Sequence, residues 1–316
     1  MKSKIVLINR ILFLMMLSGL FLTTCGKAKA SQEPVEIDVE KSKSDTIRSN
    51  EPVCLVPEAK GEITFGNDAI TIDASNTKEG YLYITYTGDN EDVKLQISCD
   101  GGVTYTYKIS PGDVIVPLTQ GEGCYQIVVY EGMGNGQYST CLVETTDVVL
   151  NSEYIPYLYP NYYVQFKDNS EAVQIGKEIA KNCTCDLEVI GKVYDYVIGN
   201  ITYDHEEALT VASDYIPDVD EILETKKGIC FDYASLMAAM LRSQRIPTRL
   251  EVGYAGDAYH AWVTTYIEDI GWINGIIQFD GADWTLMDPT FAANADSKTL
   301  EEFVGNGDNY TTKYIY

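Results

Sequence analysis

The spacing of apolar residues changes period along the chain, and the change divides it. Ala69–Asp73, Tyr81–Tyr86, Val93–Ile97 and Tyr125–Tyr130 alternate, or are rich in β-branched and aromatic residues, as half-buried strands are. Asp100-Gly101-Gly102 and Pro111-Gly112-Asp113 between them are turn signals. Strands at this spacing predict a small antiparallel sandwich over residues 51–150. Beyond residue 168 the period becomes helical. Asp168 with Glu171 forms a capping-box variant that opens a helix to about Lys181. Further helices are expected from about Leu187 to Ile198 and from Asp218 to Glu224, with a short extended piece at Ile201–Asp204 between them. Ala234, Met237, Ala238 and Leu241 fall at i, i+3, i+4 and i+7, one face of a helix that begins near Cys230. Lys226, Lys227 and Gly228 before it read as a loop.

The period then returns to two. Tyr259, Ala261 and Val263 share one strand face, with His260, Trp262 and Thr264 on the other. Trp284, Leu286 and Asp288 share a face of a second strand. A helical patch at Leu300–Phe303 and a turn at Gly305–Asp308 precede Tyr310–Tyr316, expected as an edge strand of the same sheet. Residues 151–167, with five tyrosines and two prolines, predict an extended inter-domain connection packed through its rings.

The N-terminal residues have no such period. Lys2, Lys4 and Arg10 are followed by an apolar run, Ile11–Leu22, too short to span a bilayer comfortably. Leu22-Thr23-Thr24-Cys25-Gly26 resembles a bacterial lipobox, so residues 1–25 are expected to be a signal segment with Cys25 lipidated. The competing expectation is ordinary cleavage after Ala28 or Ala30. Residues 26–50 lack aromatic residues and are rich in Lys, Glu, Ser and Asp, the composition of a disordered tether. The resulting map is 1–25 signal and lipobox, 26–50 tether, 51–150 β-sandwich and 151–316 catalytic domain.

Charge and cysteine content narrow the function. A formal charge of −24 over 316 residues argues against nucleic-acid binding, which needs a basic face. The chain has eight cysteines. With Cys25 and Cys230 assigned, the remaining six leave disulfide connectivity open. Asp204-His205-Glu206-Glu207 has carboxylates in adjacent rather than helical spacing, so a solvated surface is expected there and no metal or cofactor site.

The candidate chemistry lies in three residues. A thiol at a helix N-terminus has its anion favoured by unpaired N–H groups and the helix dipole. His260 is one of two histidines in the chain. Taken singly, a buried Cys or a core His is the ordinary reading of either residue. Together with Asp288 they are the parts of a triad: Cys230 as nucleophile, His260 as base and then acid, and Asp288 orienting the imidazole.

Val193-Tyr194-Asp195-Tyr196-Val197, Ile201-Thr202-Tyr203-Asp204 and Gly228-Ile229-Cys230-Phe231-Asp232-Tyr233-Ala234 open a longer pattern. It continues through Leu241–Arg249, Val252-Gly253-Tyr254, His260-Ala261-Trp262 and Trp284–Thr290. Over residues 187–291, about a third of the chain, this resembles the transglutaminase-like superfamily, which is related to papain. The resemblance implies an α+β fold with Cys230, His260 and Asp288 as the triad. Arg245 stands where a glycine is common in that family. The expected function is an exported thiol enzyme acting on peptide or isopeptide amide bonds, with hydrolysis favoured over amine transfer. The alternative is a non-catalytic cell-envelope binding protein using the same groove. The expected partners are a protein or peptide substrate, cell-wall material among the choices, and a membrane reached through the lipid anchor. Whether the β domain binds or merely spaces is open.

Overall fold

The alternating segments form two four-stranded antiparallel sheets that face each other. The computed structural model describes residues 48–268, 271–274, 276–279, 284–287 and 310–316, and these belong to one compact unit. The first sheet has the order β1-β2-β3-β6, with β1 Thr64–Gly66, β2 Ile70–Asp73, β3 Tyr81–Tyr86 and β6 Gly112–Pro117. The second has the order β5-β4-β7-β8, with β4 Val93–Cys99, β5 Tyr105–Ile109, β7 Gly123–Gly134 and β8 Gln137–Val148. Inward positions Ile72, Ile84, Leu95, Tyr107 and Ile127 are fully buried, while their strand neighbours are more exposed. This is the expected sandwich, with β8 added along its edge.

The second half is α+β. Helices α1 Glu171–Ala180, α2 Asp186–Asn200, α3 His205–Thr210, α4 Val219–Thr225 and α5 Cys230–Ser243 precede an antiparallel sheet. That sheet has the order β13-β12-β11-β16, with β11 Thr248–Ala255, β12 Ala258–Ile267, β13 Gly271–Asn274 and β16 Tyr310–Ile315. The edge placement of β16 is as expected. Two-residue strands β9 Thr202–Tyr203 and β10 Lys227–Gly228 pair in parallel, so the stretch before α5 is pinned where a free loop was expected. A further hairpin joins β14 Ile276–Phe279 and β15 Trp284–Met287.

Three differences from the sequence reading have clear causes. Helix α5 has no solvent face: every residue from Asp232 to Ser243 is buried, because α1, α2 and α4 surround it together with β11 and β12. Helix α1 starts after Ser170 rather than Asp168, and the backbone N–H of Glu171 donates to Asp220 Oδ1 from α4 at 2.9 Å. The capping acceptor therefore comes from 49 residues downstream, beyond the reach of a local signature. Residues 48–53, which composition divided between tether and sandwich, run along the helical layer. Arg48 pairs with Asp186 and donates to the Gln244 carbonyl at 2.7 Å, and the Val53 N–H donates to the Ser243 carbonyl at 2.8 Å.

The two halves meet through tyrosines. Tyr162 packs edge-on against Tyr107 at 5.1 Å, and Tyr105 lies 5.5 Å from Tyr316. Residues 151–167 run between the halves, with one 3-10 turn at Ile155–Tyr157.

Candidate functional site

Cys230 is the first residue of α5, preceded by Ile229 in extended conformation. N–H groups in the first turn have no intrahelical acceptor, so this end of the helix presents donors and positive dipole to the thiol. The side chain is half-buried. Phe231 behind it packs 5.1 Å from Tyr163, which itself lies 4.5 Å from Tyr316. The inter-domain tyrosine cluster thus reaches the residue next to the thiol.

His260 lies on β12, and α5 packs against that strand. The imidazole is buried, with Trp262 at 6.3 Å and Tyr310 at 6.5 Å. Its partner across the sheet is Gly253 on β11. A Cβ at Gly253 would stand 2.0 Å from the Thr311 carbonyl oxygen, so only glycine lets β16 close onto the sheet beside His260. Tyr259, the preceding residue, is exposed. Burial, then Tyr314, Tyr254 and the Cys230 thiol, raise its phenol pKa. Asp288 follows β15 directly in sequence and lies outside the described residues, as does Cys25. Of the predicted set, Cys230 and His260 therefore sit on touching elements.

Asp232 carries no signal in the sequence that would single it out. It is fully buried one turn into α5 and accepts two hydrogen bonds at 2.7 Å, from the Ile229 N–H and the Tyr215 hydroxyl. The first is the return half of a capping box; Ile229 cannot supply the other half, so the sequence signature is incomplete. Burial pushes the carboxyl up to about 6, opposed by those two hydrogen bonds and reinforced by Glu207 and Glu221. A Cβ on Gly228 would lie 2.6 Å from Asp232 Cβ, so the glycine before the thiol makes room for this carboxylate.

Arg242 closes the other end of α5. It is fully buried and donates to three carbonyls: Thr248 at 2.9 Å, Tyr159 at 2.8 Å and Tyr316 at 2.8 Å. Burial lowers its pKa to about 9, which leaves it charged at neutral pH. Arg245 just beyond has φ of 63°, the left-handed conformation that glycine takes most easily. His205 opens α3 beneath an Asp204 cap, and no group of three metal-ligating side chains occurs among the described residues.

Residues 173–275 match the family model of the transglutaminase-like superfamily. Bacillus subtilis YebA is 28% identical over 144 residues, which cover 39% of this chain and 19% of YebA. The UPF0252 protein MJ1282 of Methanocaldococcus jannaschii is 26% identical over 168 residues, which cover 47% of each. The chain thus spans about a fifth and about half of these relatives. Among solved structures, the periplasmic domain of TgpA from Pseudomonas aeruginosa aligns with 78% of this chain and 100% of its own, at 14% identity and a TM-score of 0.33. Red sea bream transglutaminase aligns with 67% of this chain and 48% of its own, at 15% identity and a TM-score of 0.26. Residues 173–275, about a third of the chain, are thus similar to the transglutaminase-like superfamily and lie behind a β-rich N-terminal half.

Proposed function

We propose that this protein is a cysteine-dependent enzyme that cleaves peptide or isopeptide amide bonds, with Cys230 as nucleophile, His260 as acid–base and Asp288 as the group that orients His260. The observation that carries this reading is the placement of Cys230 at the N-terminus of a buried helix that packs on the strand bearing His260. The Cys230 thiolate adds to the amide carbonyl carbon, and the oxyanion that forms is met by the first-turn N–H groups. The C–N bond then breaks, the amine leaves with a proton from His260, and a thioester remains. Water, deprotonated by His260, resolves the thioester and regenerates the thiol. An amine in place of water would give transfer instead.

Export is part of the proposal, supported by the basic start, the apolar run and the lipobox-like Leu22–Cys25. Mature protein is expected to partition into detergent with a lipid mass on a peptide beginning at Cys25. Recovery of all protein from the medium with a free N-terminus at Lys29 or Ser31 would refute the anchor. Activity is tested by screening peptide and isopeptide substrates with wild type beside Cys230→Ala. Turnover that survives in Cys230→Ala would remove the thiol from the mechanism.

A further inference from the structure

A cleft of about 840 Å³ opens at the seam between the sandwich and the α+β half, and neither Cys230 nor His260 lines it. One wall is Asp113, Val114 and Ile115 of β6. That strand is the last in its sheet: one flank pairs with β3 from Tyr81–Pro117 to Tyr86–Gly112, and the other has no strand partner among the described residues. An edge strand presents unpaired backbone N–H and C=O groups, a template for another extended chain. A volume of this size suits several residues of peptide, at about 3.3 Å per residue along a strand.

Asn161, only 3% exposed, also lines the cleft. Its Oδ1 accepts from the Tyr163 and Val164 N–H groups, both at 3.1 Å. Its Nδ2 is buried beside the cleft with no acceptor among the described residues. Charge narrows the ligand further. Three aspartates, 113, 168 and 214, face two lysines, 108 and 167. Lys108 is already paired with Asp214 at 2.7 Å, while Asp168 has no ion-pair partner among the described residues. Ile115 of β6, with the exposed Val56 and Ile216 around it, supplies aliphatic surface.

We propose that this cleft is a docking site for an extended peptide that adds to the free edge of β6, places aliphatic side chains against the wall and sets a basic side chain toward Asp168. It names the substrate class of the proposed enzyme, a basic, aliphatic peptide strand, and to that extent rests on the enzyme reading. Binding itself needs no working thiol, so it is measured on the Cys230→Ala full chain and a failed activity screen leaves it intact.

The probe is a fluorescein-labelled octapeptide of alternating valine and lysine, followed by polarisation. The same peptide with alternate backbone nitrogens methylated should bind at least about tenfold more weakly, because it cannot pair along an edge. Asp168→Asn should weaken its affinity roughly three- to tenfold, with a thermal melt to check that the variant is folded, and unchanged affinity would overturn the proposal. Equal binding of the methylated peptide, or of a valine–glutamate octapeptide, would overturn the proposal. So would displacement by a chito-oligosaccharide at lower concentration than by unlabelled peptide, or concentration-dependent dimers that the peptide dissociates, since these assign the cleft to glycan or to a second copy.

Discussion

Replacing Asp232 by asparagine should stabilise the protein at neutral and alkaline pH and do nothing in acid. The carboxyl is fully buried and its pKa lies at about 6, against 3.8 for an ordinary aspartate. Below the unfolded value the residue is neutral in both states. As pH rises from there toward 6, the unfolded chain releases its proton and the folded chain does not, so folding loses stability. Above 6 both forms are ionised and the loss is complete. It amounts to about 3 kcal/mol, because each pH unit separating the folded and unfolded values is worth about 1.4 kcal/mol. Asparagine avoids this loss and keeps both contacts: its oxygen accepts from the Ile229 N–H, and its amide donates to the Tyr215 hydroxyl. Melting wild type and Asp232→Asn from about pH 2.5 to pH 8.5 should give coincident curves at the acid end, below the unfolded value of 3.8. At the alkaline end the variant should melt roughly 6–12 °C higher, at about 2–4 °C per kcal/mol. A difference independent of pH, or a variant less stable at pH 8, would show that burial does not dominate this carboxylate.

Four shorter tests follow. Arg242→Leu strands three buried carbonyls and should cost about 3–5 kcal/mol in urea unfolding; a loss below about 1 kcal/mol would contradict the clamp. Tyr107→Phe should be neutral or stabilising by up to about 1 kcal/mol, because the Tyr107 hydroxyl is buried with no partner among the described residues; clear destabilisation would reveal one. Cys230 should be the first cysteine alkylated near neutral pH in folded protein, read by peptide mass spectrometry, and an inert Cys230 would remove it as nucleophile. Asp288→Asn should lower turnover by roughly one to four orders of magnitude with the melt unchanged, and full activity would direct attention to Asp280 or Asp283.

The elements legible in the sequence are those whose burial has a local period. Four strands of the sandwich announce themselves through alternation, and α5 through its apolar repeat. β8 gives no such sign, because it is an edge on which Ser139, Thr140, Thr145 and Asp147 face solvent and no apolar stripe marks it. β6 is hidden by the turn-like Pro111-Gly112-Asp113, whereas the strand begins at Gly112. Cys230 and His260 stand out because thiols and imidazoles are few and their spacing matches a known pattern. Asp232 escapes for the opposite reason. Acidic residues are common here, and nothing local distinguishes one sealed under Tyr215 from one on a solvated face. Arg245 illustrates a third case: a departure from the family residue that the backbone accommodates by taking the glycine conformation unchanged.

Arg242 has a consequence for how the molecule comes together. Its three acceptors belong to the inter-domain connection, the start of β11 and the end of β16, segments distant in sequence that arrive at different times during synthesis. Until all three are seated, the buried cation lacks part of its solvation, so the near-complete arrangement is penalised relative to both the open chain and the finished fold. Such a residue enforces cooperativity. The sheet of β13, β12, β11 and β16 is therefore expected to close in one concerted event, once residue 316 can reach residue 242, rather than to form early with β16 detached.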